Sequence, residues 1–221
     1  GNLTASVDVA IDGGVALNVL SGVLVAKGDF TIALGQVKSA LLPSGNLQDA
    51  DAMTLTLTNV GVFVGVGGSL NANGTPTDYS NDTVENGTLG FGATVTTLTL
   101  VSIKDRGASA LLTTDDVSYL GVALDDFDGG LVGLEDLLVF QAYDVDAVIN
   151  KAAHGDGVTV PAKLDWSTFT STGLDISAAQ GLLPRLNPMA ASTVVSASTP
   201  TTGLTVTLGG GSPVPSTTEA S

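Results

Sequence analysis

The chain has 221 residues, of which 43% are hydrophobic and 13% charged, with a formal net charge of −15 and no cysteine. This apolar content is enough for a sizeable core, which excludes a largely disordered chain. A nucleic-acid partner is not expected because phosphate binding needs a basic face, and the missing cysteines exclude disulfides and cysteine-ligated metals. No stretch approaches the roughly 18 consecutive apolar residues of a membrane helix, so membrane insertion is not expected either.

The N-terminal part of the chain predicts short strands separated by turns. The turn signals are Asp12-Gly13-Gly14, Ser21-Gly22 and Lys27-Gly28. A strand or a helical turn is predicted over 36–42. Alternation of apolar and polar side chains predicts the strands themselves, over 3–11, 15–20, 22–26 and 29–34.

The stretch 51–70 gives the clearest strand signal. Met53, Leu55 and Leu57 alternate with threonines, which predicts one face in a core and the other against water or another layer. Asn59 breaks the phase of this alternation. Valine then alternates mostly with glycine, which predicts that the second face lies close to another backbone.

The middle of the chain predicts one long loop, over 71–86, followed by further strands. The segment 125–130 is an acidic, glycine-rich turn signal. Between 131 and 150 helical and strand spacings compete, and strands are favoured over 137–142 and 147–149. The other predicted strands cover 88–103, 108–112, 117–124 and 158–166.

Composition divides the chain into a main β domain over 1–166 and a Ser/Thr/Pro/Gly-rich segment over 167–221. The second segment predicts a short helix over 176–183 and a strand at 203–208. We expect Leu204, Val206 and Leu208 of this strand to add to the sheet edge of a neighbouring repeat or subunit. Head-to-tail contacts of this kind do not close, and so they build filaments.

The predicted fold class is all-β, with few or no helices. The pattern of short strands rich in small and β-branched residues favours a β-solenoid or an elongated, β-sandwich-like stack. The chain begins with Gly1 and shows no signal segment, which favours a processed product or a portion of a longer polypeptide.

Calcium is the candidate cofactor because it prefers several hard oxygen ligands. The predicted ligands are Asp125, Asp126 and Asp128, which precede two glycines. The alternative is an ordinary Asp/Gly turn on a solvated surface. The pairs Asp115-Asp116 and Asp144/Asp146 are weaker candidates.

Other residues with chemical potential favour a structural interpretation. His154, the single histidine, has Asp156 nearby, yet a lone histidine in a glycine-containing loop predicts a surface residue, and no catalytic residue is expected. Trp166, the single tryptophan, is predicted to anchor the core, with stacking on a sugar as the alternative. Glycosylation sequons begin at Asn2, Asn81 and Asn86.

A series of short motifs carries a family resemblance over residues 28–169. In order they are GDFTIAL, LTLTNVGVFVG, TLGFGA, YLGVALDDFDGGLVGLEDLLV and AKLDWSTF. The chain resembles repeat segments of very large bacterial cell-surface and secreted tandem-repeat proteins, adhesin-like chains that occur alongside RTX calcium-binding modules. This resemblance implies a β-rich, solenoid-like stalk module without catalytic residues. The glycine-aspartate nonapeptide repeat of RTX proteins is missing, so calcium binding by that mechanism is not expected.

These observations predict a structural, self-assembling or tandem-repeat β module of an extracellular filament, surface layer or giant adhesin. Its partners would be copies of itself or adjacent repeats. The alternative is a calcium- or glycan-binding module of a secreted bacterial protein, with 71–86 and 125–130 as its working surface. An enzyme on a β-helix scaffold has little support in the sequence.

Overall fold

The computed structural model describes residues 9–39, 47–107, 111–164, 166, 172–174 and 202–208. Within these ranges the chain is all-β, with ten strands, one short 3-10 turn and no α-helix. The prediction of an all-β fold with few or no helices is therefore confirmed. The finer choice between a solenoid and a sandwich-like stack stays a prediction.

Most strands are long, and they follow one another in a meander. They are β1 (Val9–Val19), β2 (Leu24–Ser39), β3 (Leu47–Val66), β4 (Ser69–Asn71), β5 (Thr83–Glu85), β6 (Leu89–Asp105), β7 (Val117–Val132), β8 (Gln141–His154), β9 (Thr172–Gly173) and β10 (Thr202–Leu208). One antiparallel sheet has the order β1-β2-β3-β6-β7-β8-β10, with β9 also paired to β2. β4 and β5 form a separate hairpin between β3 and β6.

The turn predicted at Asp12-Gly13-Gly14 is wrong, because these residues pair in regular register with 29–31 of β2. Gly13 lies beside Phe30: a Cβ added to this glycine would be 3.5 Å from the phenyl Cε1. The chain reverses instead at Leu20 and Ser21, both with positive φ, just before β2 begins.

The strand break predicted at Lys27-Gly28 is also wrong. At Gly28 the register between β2 and β3 shifts by one residue, so the break is a β-bulge within a continuous strand. The three short strands predicted between 15 and 34 are therefore parts of two long ones. For 36–42 the sequence allowed a strand or a helical turn. The structure has a strand as far as Ser39, where β2 ends.

Four predictions in the second half need correction. The acidic segment 125–130 is not a turn but the interior of β7. Residues 158–164 form no strand, because Asp156 Oδ1 accepts the N–H groups of Val158 and Thr159 and holds the chain in a turn. The strand predicted over 137–142 is wrong up to 140, and β8 begins at Gln141; 147–149 is confirmed within β8. The predicted loop 71–86 contains β5.

The C-terminal predictions fall mostly outside the described residues. The helix predicted over 176–183 lies outside them, and so do residues 108–110 of the strand predicted over 108–112, while Leu111 and Leu112 form no strand. The strand predicted at 203–208 is confirmed by β10. The division into 1–166 and 167–221 stays a prediction. Among the described residues, no helix has the length and apolar character needed to cross a membrane.

One face of the sheet forms the core. Thr54, Val101, Gly121 and Asn150 pair directly across four strands, and all of them are buried. Trp166, which follows β8, packs in the same core cluster and is 1% exposed.

The opposite face carries larger apolar side chains, all of them aliphatic except Phe30. Because side chains alternate along a strand, the neighbours of the buried row point the other way. Ten of these outward-pointing residues lie in register across the sheet from β1 to β8, and none of the ten is buried. We call this set the aliphatic face: Ile11, Phe30, Ile32, Leu55, Leu57, Leu98, Leu100, Val122, Leu124 and Ile149.

The alternation in β3 thus has an unexpected orientation. Thr54 is 9% exposed and Thr99 of β6 is 2% exposed, so threonines face the core. Leu55 and Leu57, the larger apolar residues, are only half-buried on the other side. Burying a leucine is worth more than burying a threonine, whose hydroxyl needs a hydrogen-bond partner. The hydroxyl of Thr99 has none in the structure.

A row of irregular residues crosses the sheet and changes its geometry. Asn59, Asp126 and Asp144, which lie within β3, β7 and β8, have φ values of 52°, 56° and 51°. Asn and Asp tolerate this left-handed conformation better than other non-glycine residues. The phase break predicted at Asn59 is therefore confirmed. We call these three residues, with Gly28 of β2, the bulge row.

Candidate functional site

The candidate calcium ligands lie at the bulge row. Asp125, Asp126 and Asp128 lie within four residues of β7, and Asp144 and Asp146 lie opposite them on β8. Along the sequence these aspartates form two separate candidate clusters. The pairing of β7 with β8 brings the two clusters together.

The carboxylates in this cluster are held mainly by backbone donors. The N–H of Asp126 donates to Asp146 Oδ1 at 3.1 Å, and the N–H of Asp144 donates to Asp128 Oδ1 at 3.0 Å. The hydroxyl of Thr96 donates to Asp126 Oδ2 at 2.8 Å. Desolvation, followed by the negative charge of Asp126, raises the pKa of Asp144 above its usual value.

Within the described ranges, no group of three or more His, Cys, Asp or Glu side chains is arranged to hold a metal ion. Asp116, one of the weaker candidates, forms an ion pair with Lys104, with Nζ 2.9 Å from Asp116 Oδ2. Calcium binding at Asp125, Asp126 and Asp128 stays a prediction.

Replacing Asp144 by Asn should raise the melting temperature at neutral pH. The raised pKa of Asp144 means that its charged form opposes folding, and Asn removes the charge while tolerating the positive φ. The gain should diminish as the pH falls through the raised pKa of Asp144, and it should vanish below the ordinary aspartate pKa of about 3.9, where the carboxyl is protonated in the folded and the unfolded chain alike. Thermal unfolding at both pH values measures this.

Asp136→Asn is the control for this substitution, because Asp136 lies outside the cluster and should leave the melting temperature unchanged. A melting temperature of Asp144→Asn at or below that of the wild type at neutral pH would contradict the electrostatic interpretation. Calcium binding at the cluster would have a different signature: added CaCl₂ would raise the wild-type melting temperature above that of the variant.

A cavity of about 570 Å³ lies between the β4–β5 hairpin and the sheet. Glycines make room for the side chains around it. A Cβ added to Gly61 would lie 3.3 Å from Val84 Cγ2, and the Asn86 side chain occupies the space above Gly92. The close approach to another backbone that was predicted for the glycine face of β3 is found at Gly65, where an added Cβ would overlap the backbone of Leu89 and Gly90. We call this space the hairpin cavity.

Both segments of the predicted working surface line the hairpin cavity. Asp82 and Asn86 come from the hairpin side, and Asp128 comes from β7. Asp82 is only 4% exposed, and its Oδ1 has no hydrogen-bond partner. The hairpin is held from outside by Glu85, which accepts from Asn71 Nδ2 at 2.7 Å.

His154 ends β8 beside Asp156. The N–H of Asp156 donates to His154 Nδ1 at 3.3 Å, and the carboxylate of Asp156 is engaged by Thr159, whose hydroxyl donates at 2.5 Å. The Thr159 hydroxyl is the main cause of a strongly lowered Asp156 pKa. Asp156 therefore stabilises a turn, and the absence of a catalytic role stays a prediction.

Trp166 confirms the predicted core anchor, and its burial is incompatible with stacking on a sugar at the surface. Its Nε1 donates to Asn150 Oδ1 at 3.2 Å, and Asn150 Nδ2 donates to the carbonyl of Leu164 at 2.9 Å. Asn150 is fully buried and was missed by sequence reasoning. The available sequence signal was the position of Asn150 among the alternating apolar residues of this strand, which places its polar side chain on a buried face.

Two of the three sequons lie in described parts of the chain. Asn81 is exposed, and its Oδ1 accepts from the Thr75 hydroxyl at 2.9 Å. Asn86 lines the hairpin cavity. Asn2 lies outside the described residues, and glycosylation stays a prediction.

β10, the strand whose side chains are predicted to contact a partner, lies at one end of the sheet. Within the chain, Leu204, Val206 and Leu208 pair in register with Ile149, Ala147 and Val145 of β8. This pairing uses one edge of β10, so the prediction that these residues meet a neighbouring copy remains a prediction. β1 lies at the other end of the sheet; it is 11 residues long, has no bulge against β2, and contains no Lys, Arg or Pro.

Comparisons with protein-family models, with curated proteins and with solved structures found no match for this chain.

Proposed function

We propose that the chain is a structural β module of an extracellular filament, surface layer or giant adhesin. In this proposal the module associates with copies of itself, or with adjacent repeats, through the aliphatic face. The observation that supports it is the inverted orientation of β3 and β6, in which threonines face the core and leucines face outward.

Burial of the aliphatic face would supply the driving force for association. Each leucine that moves from half-buried to buried contributes on the order of 1 kcal/mol. Ten residues make up the face, and none of them is charged, so contact between two faces buries no charged side chain of this set. The acidic side chains of the bulge row lie along one border of the face.

Two such faces in contact would form a β-sandwich. Sheets pack about 10 Å apart when their side chains interdigitate. The sandwich-like stack predicted from the sequence would then arise between modules rather than within one module.

The ends of the sheet favour extension in a second direction. Natural edge strands are protected by Lys, Pro or bulges, and β1 has none of these. A neighbour's β10 edge would complete the hydrogen bonds of β1, and this head-to-tail contact builds a filament. The location outside the cell rests on the resemblance to bacterial surface repeats and on the acidic, cysteine-free composition.

A single cysteine placed on the aliphatic face should trap the association covalently. The chain has no cysteine of its own, so Val122→Cys introduces one thiol at the centre of the face. Under mild oxidation we expect most of the protein to form a disulfide-linked dimer, because matching faces bring the two thiols together. Non-reducing electrophoresis measures this.

Leu111→Cys is the matched control, because Leu111 is 93% exposed but lies in a loop away from the face. Equal cross-linking of both variants would indicate random collision, and a monomeric Val122→Cys protein would contradict the proposed contact.

A further inference from the structure

The hairpin cavity contains a polar group without a partner. Asp82 Oδ1 is buried and accepts no hydrogen bond, although its backbone N–H donates to the carbonyl of Tyr79 at 3.4 Å. A buried carboxylate oxygen left unpaired is costly, and such groups are rare in folded proteins. A hydrogen-bond donor from outside the chain would remove this cost.

The other polar groups of the cavity define the kind of donor. Asn59, Asn86 and Gln141 contribute carboxamides, each of which can both donate and accept. Thr94 adds a hydroxyl with the same dual capacity. Hydroxyl groups of a ligand, which also donate and accept, match this lining better than a ligand that only accepts.

Charge at the cavity argues against an anion. Two carboxylates, Asp82 and Asp128, face one ammonium group, Lys27. A bare metal ion is also disfavoured, because only two carboxylates reach the cavity and multidentate oxygen sites for calcium use six or more ligands.

We propose that the hairpin cavity binds a neutral sugar, a mono- or disaccharide, with Asp82 accepting hydrogen bonds from its hydroxyl groups. The volume of about 570 Å³ lies within the range of small-molecule sites. This binding is independent of the self-association proposed above.

The test is an NMR titration of the full chain with glucose, galactose, mannose and N-acetylglucosamine at millimolar concentrations. At least one sugar should shift the amide signals of Asn86, Gly92 and Gly129 saturably. Asp82→Asn should weaken binding by about tenfold or more, since a hydrogen bond to a charged group is lost. The same substitution should leave the melting temperature unchanged or raise it, because it removes an unpaired buried charge.

Thr94→Val and Thr97→Val form a matched pair on β6. Thr94 lines the cavity and Thr97 does not, so only the first substitution should weaken sugar binding. Saturable shifts that are equal in Asp82→Asn, Thr94→Val and Thr97→Val would overturn the site. Absence of shifts with all four sugars would overturn the proposal as well, as would shifts of the same signals by CaCl₂ alone, which would indicate a cation site.

Discussion

Replacing Trp166 by Ala is expected to lower the free energy of unfolding by about 3–5 kcal/mol, the usual cost of truncating a buried tryptophan. Trp166 is 1% exposed and packs in the core cluster over the sheet. The substitution would also leave Asn150 Oδ1 without the indole N–H that donates to it. An unpaired buried carboxamide oxygen adds to the cavity cost, so the upper part of the range is expected.

Urea unfolding followed by circular dichroism measures this loss, since the substitution removes the single tryptophan. Tyr79→Ala is the control, because Tyr79 is 62% exposed and its loss should cost less than about 0.5 kcal/mol. If Trp166→Ala cost no more than Tyr79→Ala, Trp166 would not anchor the core. Asn150→Leu separates the two contributions by keeping apolar volume while removing the hydrogen bonds.

The double substitution Leu55→Lys and Leu100→Lys should dissociate the assembly. These residues pair directly at the centre of the aliphatic face. In an associated pair of faces, each lysine ammonium would lose its water without gaining a partner. We expect the dissociation constant to rise by at least about a hundredfold, which corresponds to about 2.7 kcal/mol.

The isolated module should tolerate these lysines, because both positions are only half-buried and long side chains can extend into water. Thr31→Lys is the control: Thr31 is exposed on β2 and lies outside the aliphatic face. If the double variant unfolds while the association of the remaining folded protein is unchanged, the face is covered by the chain itself and not by a copy.

Local alternation was sufficient to predict β3 and the two sets of side chains on its faces. Met53 to Thr58 alternates strictly, and β3 follows that pattern through the sheet. Asn59 signalled a phase break because asparagine adopts positive φ with little strain, and the structure has its bulge there. Two predictions based on glycine failed, the turn at Asp12-Gly13-Gly14 and the break at Lys27-Gly28, whereas the turn at Ser21-Gly22 is present. Gly13 and Gly28 lie inside strands, because glycine also fits beneath a neighbouring ring or at a bulge.

Contacts between distant segments could not be predicted. Asp82 and Asp128 meet at one cavity only because the hairpin folds over the sheet, and no sequence spacing encodes that contact. The same holds for Asn150, whose partners Leu164 and Trp166 lie beyond the strand. The sequence also did not determine which side of the sheet forms the core. Alternation defines two faces but does not indicate which of them a later segment covers.

Sedimentation equilibrium of the unmodified chain over a wide concentration range tests self-association most directly. The proposal predicts a mean mass that climbs from 22.0 kDa toward multiples of it as the protein is concentrated. A constant 22.0 kDa at every loading, with the leucine-bearing side of the sheet left in water, would contradict it.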